Sequence, residues 1–232
     1  MALGRVVTLD ALGTLVSLTP PAPLLVAELR ARGVAVGERQ ATSAIAEEIA
    51  FYRAHHAAAG DAATLADLRA RCTAVLRRAL LSAGADVGAL PAEELQDALL
   101  RSLRFAPYEE VPAALRALRH AGRRLVVVSN WDVSLHEMLD ATGLRELVDA
   151  AISSAEAGAA KPAPAIFERA LALAGAAAAG AVHVGDSLQH DVAGARAAGL
   201  RPVLVARAGR PPGVPADVTV VASLAELAQL AA

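Results

Sequence analysis

The 232 residues can bury a sizeable core and fit one domain with an insertion, or two small domains. A net charge of −2, scattered cations and only three Phe, two Tyr and one Trp argue against nucleic acid as a main partner. Cys72 is the single cysteine, which excludes an internal disulfide and suits a reducing compartment, so a cytoplasmic location is expected.

The chain opens on MALGRVVTLDALGTL, where an Arg and then an Asp interrupt the apolar stretch. The core of a signal peptide would not tolerate them, and no uncharged apolar run of about 18 residues follows. The protein is therefore expected to be neither exported nor membrane-anchored. RVVTLD (5–10) is instead the first predicted strand. From about Val16 to Arg104 the pattern turns helical, in LLVAELRARG, ATSAIAEEIAFYRAHHAAAG, TLADLRARCTAVLRRALLSAG and PAEELQDALLRSL, with Gly60, Gly84 and Gly88 near the breaks. No strand is convincing there. Four helices packed together are expected as an insert over 16–104, between residues 1–15 and 105–232 of a second body.

Beyond the insert, short β-branched runs alternate with helical patterns. RLVVVSN (124–130), DAAIS (149–153), AVHVGD (181–186), RPVLV (201–205) and DVTVVA (217–222) are too short for helices and too apolar for exposed hairpins, which suits strands buried on both faces. VPAALRALRHAG has Pro112 near its start and Gly122 past its end; SLHEMLDATGL and HDVAGARAAGL close on Gly143 and Gly199 in the same way. Helix, glycine, then strand argues for right-handed βαβ units, hence an α/β fold with a parallel sheet and helices on both faces.

Ligands of such sheets bind beyond the carboxyl ends of the strands. Those ends carry Asp10, Ser129 with Asn130, Ser153 with Ser154, and Asp186. Asp10 is followed by a Gly-Thr turn, Gly13 and Thr14, whose backbone N–H groups can point toward an anion, although an Asp there can equally cap a loop. Ser129 can hydrogen-bond a phosphate oxygen, and Asn130 or Asp132 can serve only as helix caps. Asn130 is nevertheless the only Asn in the chain. Lys161 is the only Lys, in a chain that otherwise writes Arg at every cationic position. A compact ammonium can reach between a carboxylate and a phosphoryl group where a planar guanidinium would not fit. Asp191 adds a second acid five residues after Asp186. Two acids close together in a dry crevice repel unless a cation joins them, and hard oxygen ligands suit Mg²⁺. With one Cys and no HExxH, zinc is not expected.

Taken together, DALGTL, VVVSN, AKP and GDSLQHD, in that order and spacing, resemble the haloacid dehalogenase superfamily, and the helical insert after the first strand resembles its C1 cap. The resemblance implies a Rossmann-like core and an Asp10 nucleophile that forms a covalent aspartyl intermediate. It makes Ser129 the partner of the transferring group's oxygen and Lys161 the neutralising charge. Asp10, Asp186 and Asp191 become the Mg²⁺ site, to which the Leu12 carbonyl can add. A small phosphorylated metabolite is the expected substrate, with Thr14, Asn130 and Trp131 lining its pocket; Trp131 can equally pack against the cap. The pattern is silent on oligomeric state.

One departure matters. Phosphatases of this superfamily usually carry a second Asp two residues after the nucleophile as general acid, and here that residue is Leu12. The preferred reading is a phosphatase of acidic leaving groups, or one that borrows an acid from His190, Asp132, His55 or His56. The alternatives are a 2-haloacid dehalogenase, whose halide leaves without protonation, and a catalytically weakened binder of phosphorylated metabolites or of a partner protein. A phosphonoacetaldehyde-type hydrolase would need a cap lysine, and the insert has none.

Overall fold

A computed structural model describes residues 4–230. The chain divides into two compact units, one of residues 1–17 and 106–232, the other of residues 18–105.

The first unit is built on a six-stranded parallel sheet of β1 (Val6–Leu9), β4 (Arg124–Ser129), β5 (Ala150–Ser153), β6 (Ala181–Gly185), β7 (Arg201–Val205) and β8 (Thr219–Val221), in the order β5-β4-β1-β6-β7-β8. The chain steps outward from β1 to β4 and β5, then returns to the other side of β1 with β6. That reversal opens a crevice at the carboxyl ends of β1 and β6. β1 and β6 are buried along their whole length, as is β4 apart from Arg124, which explains their unbroken aliphatic runs. Helices α5 (Val111–His120), α6 (Leu135–Ala141), α7 (Ser154–Ala157), α8 (Pro164–Leu173), α9 (Ala193–Ala197) and α10 (Leu224–Gln229) flank the sheet. Ile166, Phe167 and Ala170 of α8 pack with Val126 and Val128 of β4 and Ile152 of β5, forming one core layer.

The second unit contains α1 (Pro21–Ala31), α2 (Glu38–His55), α3 (Ala62–Ser82) and α4 (Ala92–Ser102). Leu25 and Leu29 of α1, Ile45 of α2, Leu68 and Leu76 of α3 and Leu95 and Leu99 of α4 are buried at helical spacing. Arg32 forms ion pairs with Glu28 and with Asp97 of α4.

Four elements depart from the sequence expectation. Val16–Leu18 is a strand, β2, that pairs with β3 (Phe105–Pro107) as a separate ribbon, so the interval from Val16 is not wholly helical. Three-residue strands leave no period to read. Residues 188–192 form a π turn ahead of the short α9, where one continuous helix was expected. α10, absent from the sequence reading, buries Leu224 and Leu227 and packs on α5. Among the described residues no helix is long and apolar enough to cross a membrane.

Candidate active site

Asp10 follows β1 directly, and its N–H donates to the Val184 carbonyl of β6 at 2.9 Å, so the sheet itself orients the residue. Ser129 ends the neighbouring β4 and donates from Oγ to Asp10 Oδ1 at 3.1 Å. Lys161 lies between α7 and α8, and its Nζ donates at 2.6 Å to both Asp10 Oδ1 and Asp191 Oδ1. Asp191 sits on the π turn, and its Oδ2 accepts from the Ser187 N–H at 2.9 Å. Asp10, Ser129, Lys161 and Asp191 are all buried, while Asp186 is exposed. Asp10, Asp186 and Asp191 each offer a carboxylate oxygen, and these oxygens lie within 4.8 Å of one another.

Two glycines make that crowding possible. A Cβ on Gly13, whose φ is +87°, would stand 2.1 Å from Asp186 Oδ2, and one on Gly185 would stand 2.2 Å from Asp191 Cγ.

Three acids against one ammonium leave excess negative charge, and the proton affinities follow. Burial pushes the Asp10 carboxyl up to about 6, against the pull of Lys161 and with help from the Asp191 charge. Desolvation and the Asp191 charge likewise raise Asp186. Desolvation works against ionised Asp191, yet Lys161 and His183 hold its carboxyl below the usual range. Burial opposes the Lys161 charge too, but Asp10 and Asp191 keep its ammonium above the ordinary lysine value.

The other residues predicted for the site have different surroundings. Thr14 is wholly buried and its Oγ has no hydrogen-bond partner; the Gly13 and Thr14 N–H groups bond to the Val16 and Ala11 carbonyls. These two N–H groups are thus taken up by carbonyls of the turn itself. The Asn130 amide holds Lys161 on both sides, Nδ2 donating to the Lys161 carbonyl at 3.0 Å and Oδ1 accepting from the Lys161 N–H at 2.7 Å. Trp131 is buried, exchanges backbone hydrogen bonds with the Ser154 hydroxyl, and donates from its ring nitrogen to Ser134 Oγ at 3.3 Å. Leu12 is 37% exposed. Of the substitute acids, Asp132 is buried and accepts from the Ser134 N–H at 2.7 Å, His190 is exposed beside Ser187, and His55 and His56 belong to the helical unit. Ser153 caps α7.

His183 was missed. It is wholly buried in β6, with Nε2 3.0 Å from Asp191 Oδ1 and Nδ1 2.9 Å from Thr8 Oγ of β1. Burial pushes its imidazole down, toward the neutral form, while Thr8 Oγ also donates to the Val182 carbonyl at 3.2 Å. The available signal was one polar residue inside the aliphatic strand AVHVG.

A family model of haloacid dehalogenase-like hydrolases matches residues 5–199. The haloacid dehalogenase-like hydrolase domain-containing protein 3 of Bos taurus is 47% identical over 98 residues, 42% of this chain and 39% of that protein. The phosphoserine phosphatase of Thermus thermophilus is 41% identical over 140 residues, 59% of this chain and 55% of that one. The chain thus spans about two-fifths to just over half of these curated relatives. A solved L-2-haloacid dehalogenase from Xanthobacter autotrophicus covers 98% of both chains with a TM-score of 0.67 and 23% identity, a likeness of fold.

Proposed function

This chain belongs to the haloacid dehalogenase-like hydrolase family, and from that premise we propose that it is a Mg²⁺-dependent phosphatase of a small phosphorylated metabolite with Asp10 as nucleophile. The observation that carries the reading is the Asp10 carboxylate bonded to Ser129 and Lys161, with oxygens of Asp186 and Asp191 within 4.8 Å. Relatives named as phosphatases support it.

In this reading an Asp10 oxygen attacks phosphorus, the ester P–O bond breaks, and the alkoxide or phenolate leaves. Water then cleaves the acyl phosphate to release inorganic phosphate and restore the carboxylate. Lys161 offsets the repulsion between carboxylate and phosphate dianion, and the Ser129 hydroxyl turns from Asp10 to a phosphoryl oxygen. The donor set fits a hard divalent cation, since three clustered carboxylates outweigh one ammonium; Asp10, Asp186 and Asp191 would hold it, joined by the Leu12 carbonyl. Bound there, Mg²⁺ would supply further positive charge against the phosphoryl oxygens. Residues 16–104 are read as a C1 cap that selects the substrate, and the setting as cytoplasmic.

Leu12 gives a dehalogenase reading its one support, because a halide needs no proton. The cluster of three acids weighs against it, as excess negative charge disfavours a haloacid carboxylate. The experiment compares p-nitrophenyl phosphate with Mg²⁺ against 2-chloropropionate without metal. Metal-dependent nitrophenol release is expected; chloride release in EDTA with no phosphatase activity would overturn the proposal. Beryllofluoride binding without any turnover would instead mark a binder.

A further inference from the structure

Arg207 lies just past the carboxyl end of β7, and its guanidinium is engaged on four sides. Nη2 donates to the Thr14 carbonyl at 2.8 Å and Nε to the Gly13 carbonyl at 3.3 Å. Nη1 donates to Glu110 Oε1 at 2.8 Å, and Cζ stands 3.4 Å from the centroid of the Tyr108 ring. Burial opposes ionised Glu110, but the Arg207 hydrogen bond and backbone donors hold its carboxyl below the usual range, so the pair is charged at neutral pH.

The two carbonyls belong to the turn that follows Asp10. Gly13 backs directly onto Asp186, with no room for even a Cβ between them. A shift of the turn therefore moves the wall against which Asp186 rests. Only a planar fork can meet two successive carbonyls, an acid and a ring face at once; an ammonium cannot. Tyr108 and Glu110 follow β3, and Gly13 and Thr14 precede β2, so one side chain ties together the two stretches of the sheet-bearing unit that flank the helical insert.

We propose that Arg207 is a positioning residue for this site: by pinning the Gly13–Thr14 turn to the end of β7 it keeps the Asp10 and Asp186 carboxylates at their working separation. Its kinetic consequence rests on the phosphatase reading; its structural one does not. The test uses the full chain with Arg207→Ala and Arg207→Lys, following amide hydrogen exchange together with Mg²⁺-dependent turnover of p-nitrophenyl phosphate.

In both variants the amides of residues 13–16 should exchange about tenfold faster or more, while those of β1 and β4 keep their protection. kcat should fall about tenfold or more with KM nearly unchanged, as a misplaced reacting group predicts. Methylguanidinium should restore part of kcat and of the protection in Arg207→Ala and neither in Arg207→Lys. Unchanged exchange at 13–16, or a loss of protection across the whole sheet, would overturn the proposal. Should Arg207→Ala not fold, Arg207→Lys keeps the stem and the charge and carries the same expectation. A wild-type protein that hydrolyses no phosphate ester would sink the phosphatase reading alone, and exchange at 13–16 would still decide the role of Arg207.

Discussion

On the proposed reading Leu12 stands where a proton donor would serve, with a side chain that can neither give nor accept a proton, and its partial exposure leaves room for a carboxylate in its place. General acid catalysis is typically worth ~10²–10⁴-fold, most of it for leaving groups of high pKa. Leu12→Asp is therefore expected to raise turnover of an alkyl phosphate by about 10²-fold while changing p-nitrophenyl phosphate little; equal gains on both substrates would show that the missing proton is not what limits the enzyme. Lys161 and Asn130 are the residues that composition alone made conspicuous. The structure adds that the only Asn holds the backbone of the only Lys, so the ammonium reaches Asp10 and Asp191 from a fixed base. Asn130 was legible as unusual but not in its role, because its partner lies 31 positions away and only the fold joins them.

At the level of elements, the site depends on how closely the end of β6 approaches the π turn. Gly185 ends that strand at the point where the Asp191 carboxyl packs against its Cα. Gly185→Ala places a methyl 2.2 Å from Asp191 Cγ, deep inside van der Waals contact, so the π turn must move. Overpacking of this kind typically costs about 1–3 kcal/mol. The variant is expected to unfold at correspondingly lower urea and to bind Mg²⁺ more weakly by calorimetry; wild-type affinity would show that Asp191 tolerates the shift. The parallel strands were legible because burial on both faces leaves an unbroken aliphatic run. β2, β3 and α10 were not, since three to six residues span less than two turns or pleats and leave no period to detect.

At the level of the whole molecule, stability and the active site pull in opposite directions. In the metal-free protein Asp10 has its pKa raised by burial to about 6 from 3.8. A carboxyl raised on folding binds its proton more tightly in the native state, so its stabilising contribution is complete below about pH 4 and is lost as pH rises through 6. Asp10→Asn in EDTA should therefore be more stable than wild type at pH 7, on the order of 3 kcal/mol for a shift of about two units, and the advantage should shrink toward pH 4. Urea unfolding at the two pH values checks this, and a difference that stays flat with pH would refute the charge account.

The sequence by itself determined the parallel α/β core, the family, and the candidate residues at the strand ends, because local hydrophobic period and short motifs are properties of neighbouring residues. Tertiary structure alone decided that His183 backs Asp191, that Asn130 serves Lys161 and that the Gly13–Thr14 turn answers to Arg207. The last two join stretches 31 and 193 positions apart through side-chain to backbone hydrogen bonds, and His183 meets Asp191 only where β6 and the π turn come together, so nothing local in one partner encodes the other.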